Sequence, residues 1–143
     1  MLLDANVLIY STNRANPHYE IANRLVDDAL NGDRRVGIPW QTIGAFIRIT
    51  THPRVTSRPL TSEQAWGLMR AWLEAAPTWI PPATEATARV YGDLASRLSI
   101  TGNLVPDAML AALAIEHGLE LWSADTDFAR FPGLRWRNPL SPN

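Results

Sequence analysis

The chain begins with MLLDANVLIY at positions 1–10, and this stretch decides the class of fold. Residues 1–4 are an apolar run closed by Asp4 and predict a short strand that enters the core. Residues 5–12 continue in a helical pattern. The acid at position 4 and the lack of a basic start make the segment unlike a signal peptide. A buried strand followed at once by a helix is typical of α/β domains.

Short apolar segments alternate with helical patterns along the rest of the chain. Strands are predicted at 1–4, 36–38, 78–80, 119–123 and 134–137. Helices are predicted at 5–12, 17–29, 39–51, 61–75, 84–98, 105–117 and 125–131. This alternation predicts an α/β fold in which helices cover both faces of a parallel sheet, without fixing the order of the strands. Thr61 and Gln64 are expected to form a capping box, and Ala88, Tyr91 and Ala95 to face the core.

Length and composition favour one soluble domain over residues 1–143. Hydrophobic residues make up 46% of the chain and charged residues 19%, which is the balance of a soluble globular protein. No segment approaches the roughly 20 apolar residues that a membrane helix needs. The chain has no cysteine, which excludes thiolate metal sites and fits a location in the reducing cytoplasm.

Arginine supplies all 13 basic residues of the chain, and lysine is absent. The absence of lysine excludes Walker-type phosphate loops and Schiff-base chemistry. Because the net charge is −1, binding to a nucleic acid would have to come from a local arginine patch.

Four aspartates stand where predicted strands end or predicted helices begin. Asp4 closes the first strand, Asp125 and Asp127 follow the fourth, and Asp107 opens the sixth helix. Because the carboxyl ends of parallel strands share one edge of the sheet, these acids are expected to face the same crevice. Each could alternatively be only a helix cap.

The apolar surroundings of Asp4 favour a metal site over simple capping. An unpaired charge near the core is costly, and converging carboxylates repel one another unless a cation neutralises them. Oxygen ligands without cysteine or a zinc-spaced histidine pair indicate Mg²⁺, or Mn²⁺ in its place. Such an ion polarises a phosphoryl oxygen and activates water, so phosphodiester hydrolysis is the expected reaction.

Four segments of the chain carry a family signature. They are LLDANVLIY at 2–10, PWQTIGAFIRITTHPRV at 39–55, GNLVPDAMLAALAIEHG at 102–118 and SADTDF at 123–128. Together they resemble the PIN domains, and the second resembles the VapC toxins within that family. The four segments span the chain in the family's order, so the resemblance covers the whole domain.

The resemblance implies a three-layer α/β/α domain with a short central parallel sheet. It also implies a Mg²⁺-dependent endoribonuclease that cuts structured RNA such as tRNA. Such a protein would be the toxin of a toxin–antitoxin pair, with a VapB-type antitoxin as its partner and a homodimer as its assembly. The implied catalytic metal ligands are Asp4, Asp107 and Asp125, and the implied accessory residues are Asn6, Ser123 and Asp127.

The chain departs from the PIN pattern in its third predicted helix. The family usually carries a glutamate there, near the positions of Gly44 or Ala45, and this helix contains no acid. The departure predicts a single-metal site in which Asp127 compensates; Gln41, a neutral oxygen donor, is out of register. It also leaves open a catalytically weak or inactive PIN-like scaffold that binds RNA or an antitoxin.

Positive charge concentrates at the end of the third predicted helix and in the loop that follows. Arg48, Arg54 and Arg58 are expected to contact RNA phosphates, which arginine can bind through two nitrogens. Arg48 could alternatively pair with a carboxylate inside the fold. Trp66 and Trp72, six residues apart, do not share a helix face, so one of them is expected to be exposed or at an interface.

Two other phosphate-handling folds fit the residues less well. A haloacid-dehalogenase-like phosphatase needs a second aspartate at the position of Asn6 and generally a lysine for its phosphate. A receiver domain also needs a lysine and lacks its N-terminal pair of acids here.

Overall fold

The computed structural model describes residues 1–141 and has the predicted α/β architecture. The last two residues of the predicted domain, 142–143, lie outside the described residues. The described residues form five strands: β1 (Leu2–Leu3), β2 (Val36–Gly37), β3 (Thr78–Trp79), β4 (Leu121–Trp122) and β5 (Trp136–Arg137). The same residues form six α-helices: α1 (Ala5–Tyr10), α2 (Tyr19–Leu30), α3 (Trp40–Thr50), α4 (Ser62–Leu73), α5 (Glu85–Arg97) and α6 (Leu104–His117). A short 3-10 helix covers Thr126–Arg130.

All five strands are parallel and form one sheet in the order β3-β2-β1-β4-β5. The chain starts in the central strand, builds outward to β3 on one side, and then crosses to β4 on the other side. This reversal makes a topological switch point between β1 and β4. In open parallel sheets the crevice outside such a point is where ligands bind.

The three-layer arrangement follows from the alternation of side chains along β1. Successive strand residues point to opposite faces of a sheet, and Leu2 and Leu3 belong to two different core clusters. The Leu3 cluster lies under α1–α4, and the Leu2 cluster lies under α5, α6 and the 3-10 helix. Both leucines are almost fully buried, so each face of the sheet carries a core.

The capping box predicted for the fourth helix is confirmed, whereas the core-facing residues predicted for the fifth helix are partly wrong. Thr61 and Gln64 form the predicted capping box at the start of α4. In α5 the prediction was wrong for Ala88 and Ala95, which are exposed. Thr87 and Leu94 are buried in their place, because seven residues make almost two full turns and bring both side chains to the same side of the helix.

The two tryptophans of α4 divide as predicted. Trp72 packs edge-on against Phe46, with ring centroids 5.0 Å apart, whereas Trp66 keeps 44% of its surface exposed. Among residues 1–141, none of the helices has the length and apolar character needed to cross a bilayer.

Candidate metal centre

Asp4 lies at the end of β1 and caps helix α1. Its Oδ1 accepts a hydrogen bond from the backbone N–H of Ala5 at 2.7 Å. Its Oδ2 accepts from the hydroxyl of Ser123 at 2.7 Å and from the amide of Asn6 at 3.2 Å. Capping was one of the two roles foreseen for this acid, and the bond to Ser123 adds a contact across the switch point.

Ser123 and Asn6 join the ends of β1 and β4. The Ser123 hydroxyl oxygen accepts from the Asn6 amide at 3.0 Å and from the backbone N–H of Asp125 at 3.1 Å. Asn6 Oδ1 accepts from the backbone N–H of Ala124 at 3.2 Å. Ser123 is fully buried, so this network fixes the direction in which the loop carrying Asp125 leaves the sheet.

Three acids converge above the network. Ligand oxygens of Asp107, Asp125 and Asp127 all lie within 4.8 Å of one another, close enough to share one ion. Asp107 comes from the first turn of α6, and Asp125 caps the 3-10 helix by accepting from the backbone N–H of Asp127 at 2.9 Å. Asp4 lies outside this group of three, so the convergent set contains the accessory Asp127 in place of Asp4.

The charges in the centre are mutually unfavourable. Burial raises the pKa of Asp4, and the negative charge of Asp125 raises it further, while hydrogen bonds from Ser123 and Ala5 lower it. The pKa of Asp107 is raised to about 6, first by burial and then by the charges of Asp125, Asp4 and Asp127. Asp4 is therefore close enough to act on Asp107 electrostatically, although it is not one of the three convergent ligands.

One cation near the acids was not foreseen from the sequence. Arg130 contacts Oδ1 of Asp127 at 3.0 Å and lowers the pKa of Asp107. The signal was present, because residues three apart on a short helix are neighbours. Among residues 1–141, Arg130 is the arginine that forms an ion pair with one of these acids, and one positive charge offsets only part of their negative charge.

Helix α3 approaches the centre without contributing an acid. The hydroxyl of Thr42 donates to the carbonyl of Leu3 at 2.9 Å, which fixes the start of α3 beside Asp4. Ala45 is three residues further on, on the same side of the helix, whereas Gly44 is exposed. Of the two positions at which the sequence lacks the expected glutamate, Ala45 is the half-buried one. Gln41 lines a separate groove with residues of α5 and α6.

The three arginines predicted to bind RNA are exposed, on the second half of α3 and the loop after it. Within residues 1–141, the ion pairs do not include Arg48, Arg54 or Arg58. The alternative in which Arg48 pairs with a carboxylate inside the fold is therefore not what the structure shows.

Known proteins that are similar to this chain in sequence include ribonucleases. The family model described as "PIN domain" matches residues 1–134. The chain is 38% identical to ribonuclease VapC37 of Mycobacterium tuberculosis over 138 residues, which cover 96% of each protein. It is 34% identical to ribonuclease VapC33 of the same species over 137 residues, again 96% of each.

Two solved structures show the same fold at lower sequence identity. The first is VapBC2 from Rickettsia felis bound to a DNA fragment from their promoter. It has a TM-score of 0.68 and 22% identity, over 95% of this chain and 96% of that one. The second is M. tuberculosis VapC20, described as a sarcin–ricin loop cleaving toxin. It has a TM-score of 0.62 and 16% identity, over 94% of this chain and 98% of that one.

Proposed function

This chain belongs to the PIN-domain family, and within it to the VapC ribonucleases; from that premise we propose that it is a Mg²⁺-dependent endoribonuclease and the toxin of a VapBC-type module. The observation that carries the proposal is the convergence of three carboxylates at the switch point of the sheet. Hydrolysis of a phosphodiester is helped by neutralising the negative charge on the phosphoryl oxygens, and a divalent ion held by an acid cluster would supply this.

In this proposal Asp107, Asp125 and Asp127 hold the ion, with Asp4 as the fourth acid beside them. The donor set fits Mg²⁺, or Mn²⁺ in its place, because every candidate ligand is a carboxylate oxygen. The raised pKa of Asp107 supports the fit, since crowded acids gain most from a cation. When bound, Mg²⁺ supplies Lewis-acid polarisation of the phosphodiester and a source of hydroxide.

The residues of the chain itself position the acids and the substrate. Ser123 and Asn6 tie Asp4 to the loop of Asp125 by hydrogen bonds of 2.7–3.2 Å, so the two sides of the crevice keep a fixed spacing. The exposed guanidinium groups of Arg48, Arg54 and Arg58 contact RNA phosphates, which orients the RNA without reading its sequence.

Structured RNA in the cytoplasm is the proposed substrate, with tRNA as the first class to test. Because one structural relative is described as cleaving the sarcin–ricin loop, ribosomal RNA is the second class to test. A cognate VapB-type antitoxin is the proposed partner, because several structural relatives were solved as VapBC complexes, and a homodimer is the proposed assembly. Co-expression with the product of the neighbouring reading frame, followed by size-exclusion chromatography, tests both.

Cleavage of purified tRNA and ribosomal RNA in Mg²⁺ and in EDTA tests the enzymatic proposal. We expect cleavage by the wild-type chain in Mg²⁺ only, and a loss of at least about a hundredfold in the Asp107→Asn variant, because it removes a ligand and a charge. Asp93→Asn is the matched control, since Asp93 is an exposed acid on α5 paired with Arg97. Equal loss in both variants, or cleavage in EDTA, would contradict the proposal.

The absence of an acid from α3 favours a second candidate, a scaffold that binds RNA or an antitoxin without cleaving RNA. The same assay separates the two functions. RNA that stays intact at every Mg²⁺ and Mn²⁺ concentration, together with retained binding, would establish the scaffold and overturn the enzyme.

A further inference from the structure

A second cavity of about 330 Å³ opens beside the loop that carries the acids. Its walls come from the end of α1, the segment before α2, the loop after β4 and the segment after β5. The lining residues are Tyr10, His18, Ala124, Asn138, Leu140 and Ser141. The nuclease chemistry described above uses none of these side chains.

The cavity adjoins the metal centre directly. Ala124 stands between Ser123 and Asp125 in the chain, and its backbone N–H donates to Asn6 Oδ1 at 3.2 Å. Tyr10 follows Asn6 by four residues on α1, so the two side chains lie on the same face of the helix about 5–6 Å apart at Cβ. The cavity therefore lies beside the loop that carries Asp125 and Asp127.

Two aromatic rings and one amide give the cavity its chemical character. The rings of Tyr10 and His18 have centroids 5.7 Å apart and are inclined at 35°. Asn138 Oδ1 accepts from the backbone N–H of Leu140 at 3.0 Å, which orients the amide and leaves its NH₂ group as a donor. Among residues 1–141, the lining contains no aspartate, glutamate or arginine, so the cavity suits a planar, largely neutral ligand better than a phosphate.

We propose that this cavity binds a nucleobase of the RNA next to the cleaved phosphodiester, with Tyr10 as the stacking surface and Asn138 as a hydrogen-bonding group for the edge of the base. Unpaired bases in RNA are recognised by this combination of aromatic stacking and polar edge contacts. The inference rests on the proposed ribonuclease function and adds a base-binding subsite to it. The alternative is that Tyr10 and His18 only pack α1 against the segment before α2.

Binding to a short fluorescein-labelled RNA, measured by fluorescence anisotropy in EDTA, tests the subsite without cleavage. We expect the Tyr10→Leu variant to bind about tenfold more weakly than wild type, which corresponds to the loss of one stacked base. We expect Tyr10→Phe to keep most of the affinity because it retains a ring. A matched abasic strand of the same length should bind wild type and Tyr10→Leu equally.

Tyr91→Leu is the control, because Tyr91 is half-buried like Tyr10 but lies on α5, on the other face of the sheet. Thermal unfolding of each variant shows whether it is folded, and Asn138→Ala provides a second test that leaves the aromatic pair in place. Equal affinity of folded Tyr10→Leu and wild type for the base-containing RNA would overturn the subsite. So would the same loss on the abasic strand.

The cleavage assay keeps this outcome separate from that of the proposed function. A chain that cleaves RNA in Mg²⁺ but whose RNA affinity does not depend on Tyr10 retains the nuclease and loses the subsite. A chain whose affinity depends on Tyr10 but which cleaves nothing retains the subsite and loses the nuclease.

Discussion

At the scale of single residues, the carboxylates of Asp4 and Asp107 differ in the groups that surround them. Both oxygens of Asp4 accept hydrogen bonds, from Ala5, Ser123 and Asn6, and these bonds replace part of the water lost on burial. For Asp107, burial first and then the charges of neighbouring acids raise the pKa to about 6. A bound cation would therefore favour the charged form of Asp107.

The metal-free protein should gain stability from Asp107 as the pH falls from about 7 to about 4. Its pKa is about 6 in the folded state and 3.8 in the unfolded state, so the folded state binds the proton more tightly. The stabilisation is complete below pH 3.8, the pKa of Asp107 in the unfolded state, and is lost as the pH rises through about 6, its pKa in the folded state. Because the group is partly exposed, we expect about 1 kcal/mol, measured as the difference between wild-type and Asp107→Asn urea unfolding in EDTA.

Asp93→Asn provides the reference for that experiment, since it removes an exposed carboxylate that is not one of the three convergent acids. Its stability should follow that of wild type across the same pH range. Wild-type and Asp107→Asn free energies of unfolding that remain parallel between about pH 4 and pH 7 would show that burial and the neighbouring charges do not raise the pKa of Asp107.

At the scale of elements, helix α3 is hydrogen-bonded to β1 at its start and has a glycine, Gly44, in its interior. The bond from Thr42 to the carbonyl of Leu3 holds its first turn against β1. Gly44 lies in the helix interior, is exposed, and has no heavy atom within 4 Å of where a Cβ would stand. A side chain at Gly44 therefore meets no steric barrier.

Gly44→Ala should stabilise the protein by about 0.5–1 kcal/mol. Alanine reduces the backbone entropy of the unfolded chain and fits the helical conformation. The contrasting control is Gly118→Ala, because Gly118 ends α6 with φ of 66°, where a Cβ costs about 1–2 kcal/mol. Chemical denaturation measures both changes, and destabilisation by Gly44→Ala would mean that this face of α3 is packed in the protein as it exists in solution.

At the scale of the whole molecule, the acids meet because the order of the strands reverses between β1 and β4. Asp4 and Asp125 are more than a hundred residues apart in the chain. The Ser123 hydroxyl nevertheless donates to Asp4 Oδ2 and accepts from the backbone N–H of Asp125. Asp107 reaches the same crevice from the start of α6. An ion bound there would connect three separate parts of the chain.

Mg²⁺ should therefore raise the temperature of unfolding. A ligand at about 100 times its Kd stabilises the folded state by about 2.7 kcal/mol, which corresponds to a rise of roughly 5–10 °C for a chain of this size. Differential scanning fluorimetry measures the shift, with NaCl at matched ionic strength as the control. The Asp107→Asn variant should show little of it. An equal shift with NaCl, or in the variant, would contradict specific binding at the acid cluster.

The sequence by itself determined the fold class and the approximate positions of the helices, and it supplied the candidate acids. Short apolar segments, which predict strands, alternate with longer amphipathic segments, which predict helices, and capping residues mark the ends of the helices. Each of these signals depends on residues that are close together in the chain. Thr61 illustrates this, because its partner Gln64 is only three residues away. The tertiary structure decided the strand order, the exposed face of α5 and the inclusion of Asp127 among the convergent acids.

Each of these latter features depends on contacts between residues far apart in the chain, which local pattern does not encode. Asp4 shows the division most clearly. Its position after an apolar strand was visible in the sequence, whereas its bond to Ser123, 119 residues away, exists only because β1 and β4 lie side by side.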